Sequence, residues 1–241
     1  MHMSKFITSL FLIPLCLAVG SAQEASDNIV VTDSMTTDSL HVPVKFGIRL
    51  GADLSGLGRS VFTDNFQGFE LQGDYRITER IYAAGEIGSA DRNIDEPNIN
   101  FSSKGTYIKL GGDFNFYRNW EGMDNMIYGG MRLGLSKFSQ TINSYTTYTT
   151  NQSWPSPETI SEIKYDNLGA AWIEFQFGMK VELLPNIFGY VNFQLKRLIS
   201  NKSDGNIDNL YIPGFNRTYE DGQIGAGMSY GISYRIPFYK K

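Results

Sequence analysis

From residue 45 onward the sequence alternates apolar and polar residues with period two, segment after segment, and few folds tolerate that pattern. A strand turns successive side chains to opposite faces, so strict alternation gives each strand one apolar and one polar face. The first segment interleaves Phe46, Ile48, Leu50, Ala52 and Leu54 with Lys45, Gly47, Arg49, Gly51 and Asp53. The second sets Phe69, Leu71, Gly73, Tyr75 and Ile77 against Glu70, Gln72, Asp74 and Arg76. The third, Ile81 to Ser89, sets Ile81, Ala83 and Ile87 against Tyr82 and Glu86. The fourth opposes Ile108, Leu110, Phe114 and Phe116 to Tyr107, Lys109, Asp113 and Asn115; the fifth opposes Ile127, Met131, Leu133 and Leu135 to Tyr128, Arg132 and Ser136. The sixth is the cleanest: Ile173, Phe175, Phe177, Met179, Val181 and Leu183 alternate with Glu174, Gln176, Gly178, Lys180 and Glu182. The seventh pairs Ile187, Val191, Phe193 and Leu195 with Tyr190, Asn192, Gln194 and Lys196; the last sets Ala226, Met228, Tyr230, Ile232, Tyr234, Ile236 and Phe238 against glycines, serines and Arg235. No segment carries a sustained helical period.

Eight such segments of about ten residues, the length that crosses a bilayer as a tilted strand, predict an all-β, eight-stranded antiparallel up-and-down transmembrane β-barrel with no open edge. Connections predicted as compact (78–80, 118–126 and 184–186) alternate with extended ones (55–67, 90–104, 137–169 and 200–223), as expected of periplasmic turns and external loops. Aromatics gather at strand ends on the apolar face, as with Phe114, Phe116, Tyr234 and Phe238, and Trp120 lies in a nearby turn. Such rings suit the head-group layer. With 41% hydrophobic and 14% aromatic residues the chain is too apolar for a disordered polymer, and a formal net charge of −4 argues against nucleic acid as a partner.

The start of the chain reads as an export signal over 1–22: Lys5 precedes an apolar run from Phe6 to Val19 that is too short for a spanning helix, and small residues end at Ala22. A polar leader, expected to be disordered, follows over 23–42, and the barrel domain occupies 43–241. Cys16 falls inside the signal, so the exported chain is expected to use no thiol chemistry. The remaining histidine outside the signal, His41, precedes the first strand on the periplasmic side, which leaves a Ser-His-Asp arrangement at the outer rim without its base. The chain is therefore read as non-enzymatic, with no cofactor and no metal.

Taken with the eight segments, the glycine-rich last strand Gly225 to Phe238 resembles the small outer-membrane β-barrels. The stretches Gly73-Asp-Tyr-Arg-Ile-Thr78, Tyr107-Ile-Lys-Leu-Gly111 and Asn125-Met-Ile-Tyr-Gly129 are similar to a Bacteroidota outer-membrane barrel family of unknown function. The triplets Asp33-Ser34-Met35 and Asp38-Ser39-Leu40 in the leader resemble the O-glycosylation motif of exported Bacteroidota proteins. The resemblance implies an outer-membrane location, periplasmic termini, lipid and lipopolysaccharide as surroundings, and outer-membrane assembly machinery as a partner. The chain departs from those barrels in following Phe238 with Tyr239, Lys240 and Lys241 instead of ending on an aromatic.

Function then falls to two places. An eight-stranded barrel is only wide enough for its own inward side chains, so the polar faces meet inside. That puts Arg49, Asp53, Glu70, Asp74, Arg76, Glu86, Lys109, Asp113, Arg132, Glu174, Lys180, Glu182, Lys196 and Arg235 in one lumen, where charges must pair. A plugged, salt-bridged core is expected; a narrow channel, or paired carboxylates such as Glu70 and Asp74 in acid-base work, are the sharper alternatives. The second place is the loops. Residues 137–148 and 160–167 are β-favouring and can pair as a protruding hairpin that captures a partner by β-augmentation. Tyr145, Tyr148, Trp154, Tyr211, Phe215 and Tyr219 are the candidate loop contacts for an extracellular protein or glycan. An exported, soluble lipocalin-like binder is the remaining alternative, and it would turn the Ile173 to Leu183 row inward.

Overall fold

The computed structural model describes residues 45–117, 124–146, 158–202, 209–217 and 223–240. Alternation becomes eight long strands: β1 (Lys45–Asp53), β2 (Phe66–Arg76), β3 (Ile81–Glu96), β4 (Ile99–Asn115), β5 (Met126–Thr146), β6 (Glu158–Leu184), β7 (Ile187–Lys202) and, after the two short strands β8 (Tyr211–Ile212) and β9 (Asn216–Arg217), β10 (Ile224–Lys240). All pair antiparallel with their sequence neighbours, and β1 closes the ring by pairing with β10, from Gly47↔Pro237 to Asp53↔Gly231. Closure leaves the barrel wall without an edge. Close approach of backbones is built in locally: a Cβ at Gly111 would lie 1.8 Å from the Met131 carbonyl oxygen of the adjacent strand, so no other residue fits there.

The polarity is inverted relative to a soluble barrel. Phe177 is 59% exposed and its row, Phe175 to Leu183, faces outward, whereas Glu174 is 0% exposed and Lys180 is buried. The lipocalin-like alternative required the opposite orientation, and the inward-facing charges overturn it. The outward row from Ile173 to Leu183 spans about 33 Å along the strand, which at a tilt of about 40° gives a belt about 25 Å tall, the height of a hydrocarbon layer crossed by strands. Among the described residues no helix is long and apolar enough to cross a membrane.

The ends differ from the sequence reading in four respects. Residues 90–104 are largely strand, not loop, since β3 and β4 run on to Glu96 and Ile99; over 137–146 and 158–169 the expected pairing of a protruding hairpin is present, with β5 and β6 paired as far out as Thr146↔Glu158. These four strands protrude past their neighbours, because β2 begins opposite Arg92 and β7 ends opposite Gly169. Over 158–168, β6 has no strand on its second side among the described residues. Second, a helix α1 (Leu54–Phe62) connects β1 to β2. It was unreadable as a periodicity because nine residues containing Gly56 and Gly58 have weak intrinsic helicity. Third, its start explains Asp53, expected in the lumen: the carboxylate caps the helix, accepting from Ser55 N at 2.7 Å and Ser55 Oγ at 2.8 Å. Fourth, a register shift between Phe46 and Gly47 takes Phe46 off the outer row, and it is buried. Trp120 lies outside the described residues.

Candidate functional site

The polar faces converge as alternation requires, and their ion pairs form three groups along the lumen. Nearest the short turns, Asp124 pairs with Arg76 at 2.5 Å and with Arg235, while Arg235 also reaches Glu182 at 3.1 Å. Deeper, Asp74 lies between Arg49 and Lys180, each at 2.6 Å. In the third group Lys109 meets Glu86 at 2.6 Å, Glu70 at 3.0 Å and Glu174 at 3.7 Å; Arg132 pairs with Asp113 at 2.7 Å and Glu86 at 3.3 Å; Lys196 lies 3.7 Å from Glu174. Seven cations thus face seven anions among the described residues, so the buried network is formally neutral. Neutral ligands fill remaining valences: Tyr107 donates to Glu70 at 2.8 Å, Gln176 to Glu86 and Glu174, and the Trp172 indole to Glu174 at 3.2 Å.

Aromatic rings interleave with these cations. Arg49 lies over Tyr82 at 4.8 Å and Phe188 at 5.3 Å, Lys180 over Tyr128 at 5.0 Å, and Arg235 over Phe188 at 4.9 Å. With Met126, the rings of Tyr82 and Tyr128 form a buried apolar cluster toward the turn end. Asp124 was missed by sequence reasoning because it lies in a connection, before alternation resumes at Met126. Its neighbours Arg76 and Arg235 were expected to face inward, and their need for counter-charge was the available signal.

The loop end is closed by apolar packing. Segment 209–217 folds back as a small hairpin, with Tyr211 paired to Arg217 and Ile212 to Asn216. Ile212 and Phe215 are buried with Phe138, Leu168, Ala170 and Trp172; Tyr211 is buried with Phe66, Ala90, Phe101 and Ile142. Tyr211 and Phe215 are therefore packing residues of the cap and not exposed loop contacts, since the inward face of the protruding sheet offers them an apolar bed. Burial pushes the Tyr211 phenol above its ordinary range, offset by the Arg92 guanidinium 5.2 Å over its ring. Tyr145 is half-buried at the edge of that bed; Tyr148, Trp154 and Tyr219 lie outside the described residues.

Polar pins hold the cap. Ser103 donates to Tyr211 O at 2.9 Å, Gln140 accepts from Leu210 N at 3.0 Å, and Lys196 donates to Gly214 O at 2.7 Å. Gly214, at the hairpin tip, has φ +84°, and a Cβ there would lie 2.6 Å from the Tyr107 ring. Gly214→Val is expected to lift the tip: left-handed backbone costs about 1–2 kcal/mol for a side-chain-bearing residue, before the clash is counted. Limited proteolysis of the refolded barrel should cut within 209–217 faster than in the parent. Unchanged cleavage there would mean the hairpin is not held by its tip.

Among the described residues the carboxylates lie between an aromatic layer at one end and an apolar cap at the other. Glu70 and Asp74, weighed as an acid-base pair, are both buried and point to different cations, Lys109 and Lys180.

A family model described as a domain of unknown function (DUF6048) matches residues 3–241. No curated protein is significantly similar to the chain. Among solved structures, the chain is similar to Ail, the attachment invasion locus protein of Yersinia pestis, at 12% identity over 80% of this chain and 98% of that one, with a TM-score of 0.39. It is also similar to Neisserial surface protein A (NspA), at 10% identity over 80% of this chain and 99% of that one, with a TM-score of 0.43.

Proposed function

We propose that this chain, which belongs to the DUF6048 family, is a non-enzymatic outer-membrane β-barrel with a sealed lumen that works through the sheet it raises above the membrane. The observation that carries the reading is the inverted polarity: an apolar belt outside, a neutral ion-pair network inside, and a mouth filled by Ile212 and Phe215. Lipid satisfies the belt, closure satisfies the backbone, and pairing satisfies the charges. An N-terminal export signal and periplasmic termini belong to the same reading, since Lys45, where β1 begins, and Lys240, where β10 ends, lie at the end of the barrel with the short turns.

The working surface on this reading is the four-strand extension of β3 to β6. The side of β6 over 158–168 that has no partner strand among the described residues is a row of backbone donors and acceptors that an extended segment of a partner protein can complete by β-augmentation. The cap beneath would keep that sheet rigid when a strand is added, which lowers the ordering cost of binding.

Heat-modifiable gel mobility of the refolded chain, followed by planar-bilayer recording on the same sample, tests the proposal. A compact, boil-sensitive band with no conductance is expected. Steady conductance would replace the sealed barrel with a narrow channel, and solubility without detergent would remove the membrane altogether.

A further inference from the structure

We infer that α1 is a lipid anchor at the barrel rim, its outer side lying among the acyl chains and head groups of the leaflet at the loop end; this rests on the membrane reading above. The helix meets the barrel through small residues and leaves its large apolar ones uncovered: a Cβ at Gly56 would lie 3.4 Å from Gly68 O, one at Gly58 would lie 3.4 Å from the Tyr230 hydroxyl, and Ser60 Oγ accepts from Gly68 N at 2.9 Å. Away from it, Leu54, Leu57, Val61 and Phe62 are all exposed, Val61 by 78% and Phe62 by 89%. No residue of the helix is buried.

Elsewhere at the loop end Phe66, Phe101, Phe138, Ile142 and Phe215 are packed into the cap, while Ile199 on β7 and Ile224 on β10 are exposed. What distinguishes α1 is its position. It packs on β2 and β10, the strands that carry outward-facing Phe69, Leu71, Met228 and Tyr230, so it lies at the upper margin of the barrel's belt. Four side chains form too small a surface for a stable protein interface, yet they suit shallow insertion at the boundary of a leaflet. Arg59, exposed in the last turn, holds its guanidinium over the Phe66 ring at 4.9 Å and so ties the helix to the cap. The glycines let the helix lie close against β2 and β10 at the level of Tyr230, so its apolar side meets the leaflet.

The test is spin-label accessibility in the refolded full chain, in phosphatidylcholine vesicles, with Cys16→Ser so that the label has one thiol. Labels go at Phe62→Cys, at Leu71→Cys as the belt reference, and at Lys164→Cys as the aqueous reference. The inference expects Phe62→Cys to shift toward the Leu71→Cys pattern, with raised oxygen and reduced water-soluble nickel-chelate accessibility. Nickel accessibility at position 62 equal to that at 164, with position 71 in lipid, would overturn the anchor and leave the membrane barrel standing. Low accessibility to both reagents at position 62 would assign the helix to a protein contact and also overturn it. Aqueous accessibility at position 71 would overturn the membrane reading and the anchor together.

Discussion

Lys109→Met is expected to destabilise the folded barrel by about 3–5 kcal/mol, the cost of stranding buried charge when one partner of a buried ion pair is removed. Lys109 is buried and is the shared cation of Glu70, Glu86 and Glu174. Of these, Glu86 retains Arg132 and Glu174 retains Lys196, but Glu70 keeps only the Tyr107 hydroxyl. Adding Glu70→Gln restores neutrality and should recover much of the loss. Urea-induced unfolding in lipid vesicles, read by the heat-sensitive band, measures both variants. The result also bears on function: water in an open pore would screen the charges left behind, so a loss below about 0.5 kcal/mol would speak for a hydrated channel and against a sealed core.

The second large effect is expected on the opposite face of β6. Phe177→Arg puts a charge at the middle of the outward row, opposite Gly129 and Phe193 on the neighbouring strands. If that row lies at the bilayer midplane, the cost is about 2–4 kcal/mol, whereas Phe62→Arg at the rim should cost about 0–1 kcal/mol. The gradient between the two positions is the informative quantity, because it follows depth and not merely loss of an aromatic ring. Equal costs in lipid and detergent micelles alike would show that position 177 does not face hydrocarbon.

These two variants differ in how far the sequence alone could justify them. Phe177 could be chosen from alternation, since Glu174, Gln176, Gly178 and Lys180 assign it to the other face. Lys109 could be placed in the lumen on the same grounds, but not beside Glu70, Glu86 and Glu174. Those partners come from three other strands, and pairing depends on barrel register. Asp124 escaped entirely because a turn carries no alternation. Asp53 was assigned to the lumen by parity and is buried, and its carboxylate caps α1, because the chain leaves the wall one residue later.

The loop end was least legible for a related reason. Strand pairing in β3 to β6 continues past the apolar belt, where the outward face no longer needs to be apolar and the two-faced pattern fades, so 90–104 read as loop. Tyr211 and Phe215 looked like exposed contacts because their burial is supplied by residues up to 145 positions away, Phe66 for Tyr211 and Phe138 for Phe215 among them.

The number of strands and the two faces of each are legible in the chain itself, because a period-two pattern is a local property of backbone geometry. Which face turns inward, which charges meet, that the mouth is capped and where α1 lies emerge only in the closed barrel, because they depend on strand register and on chain segments brought together by closure.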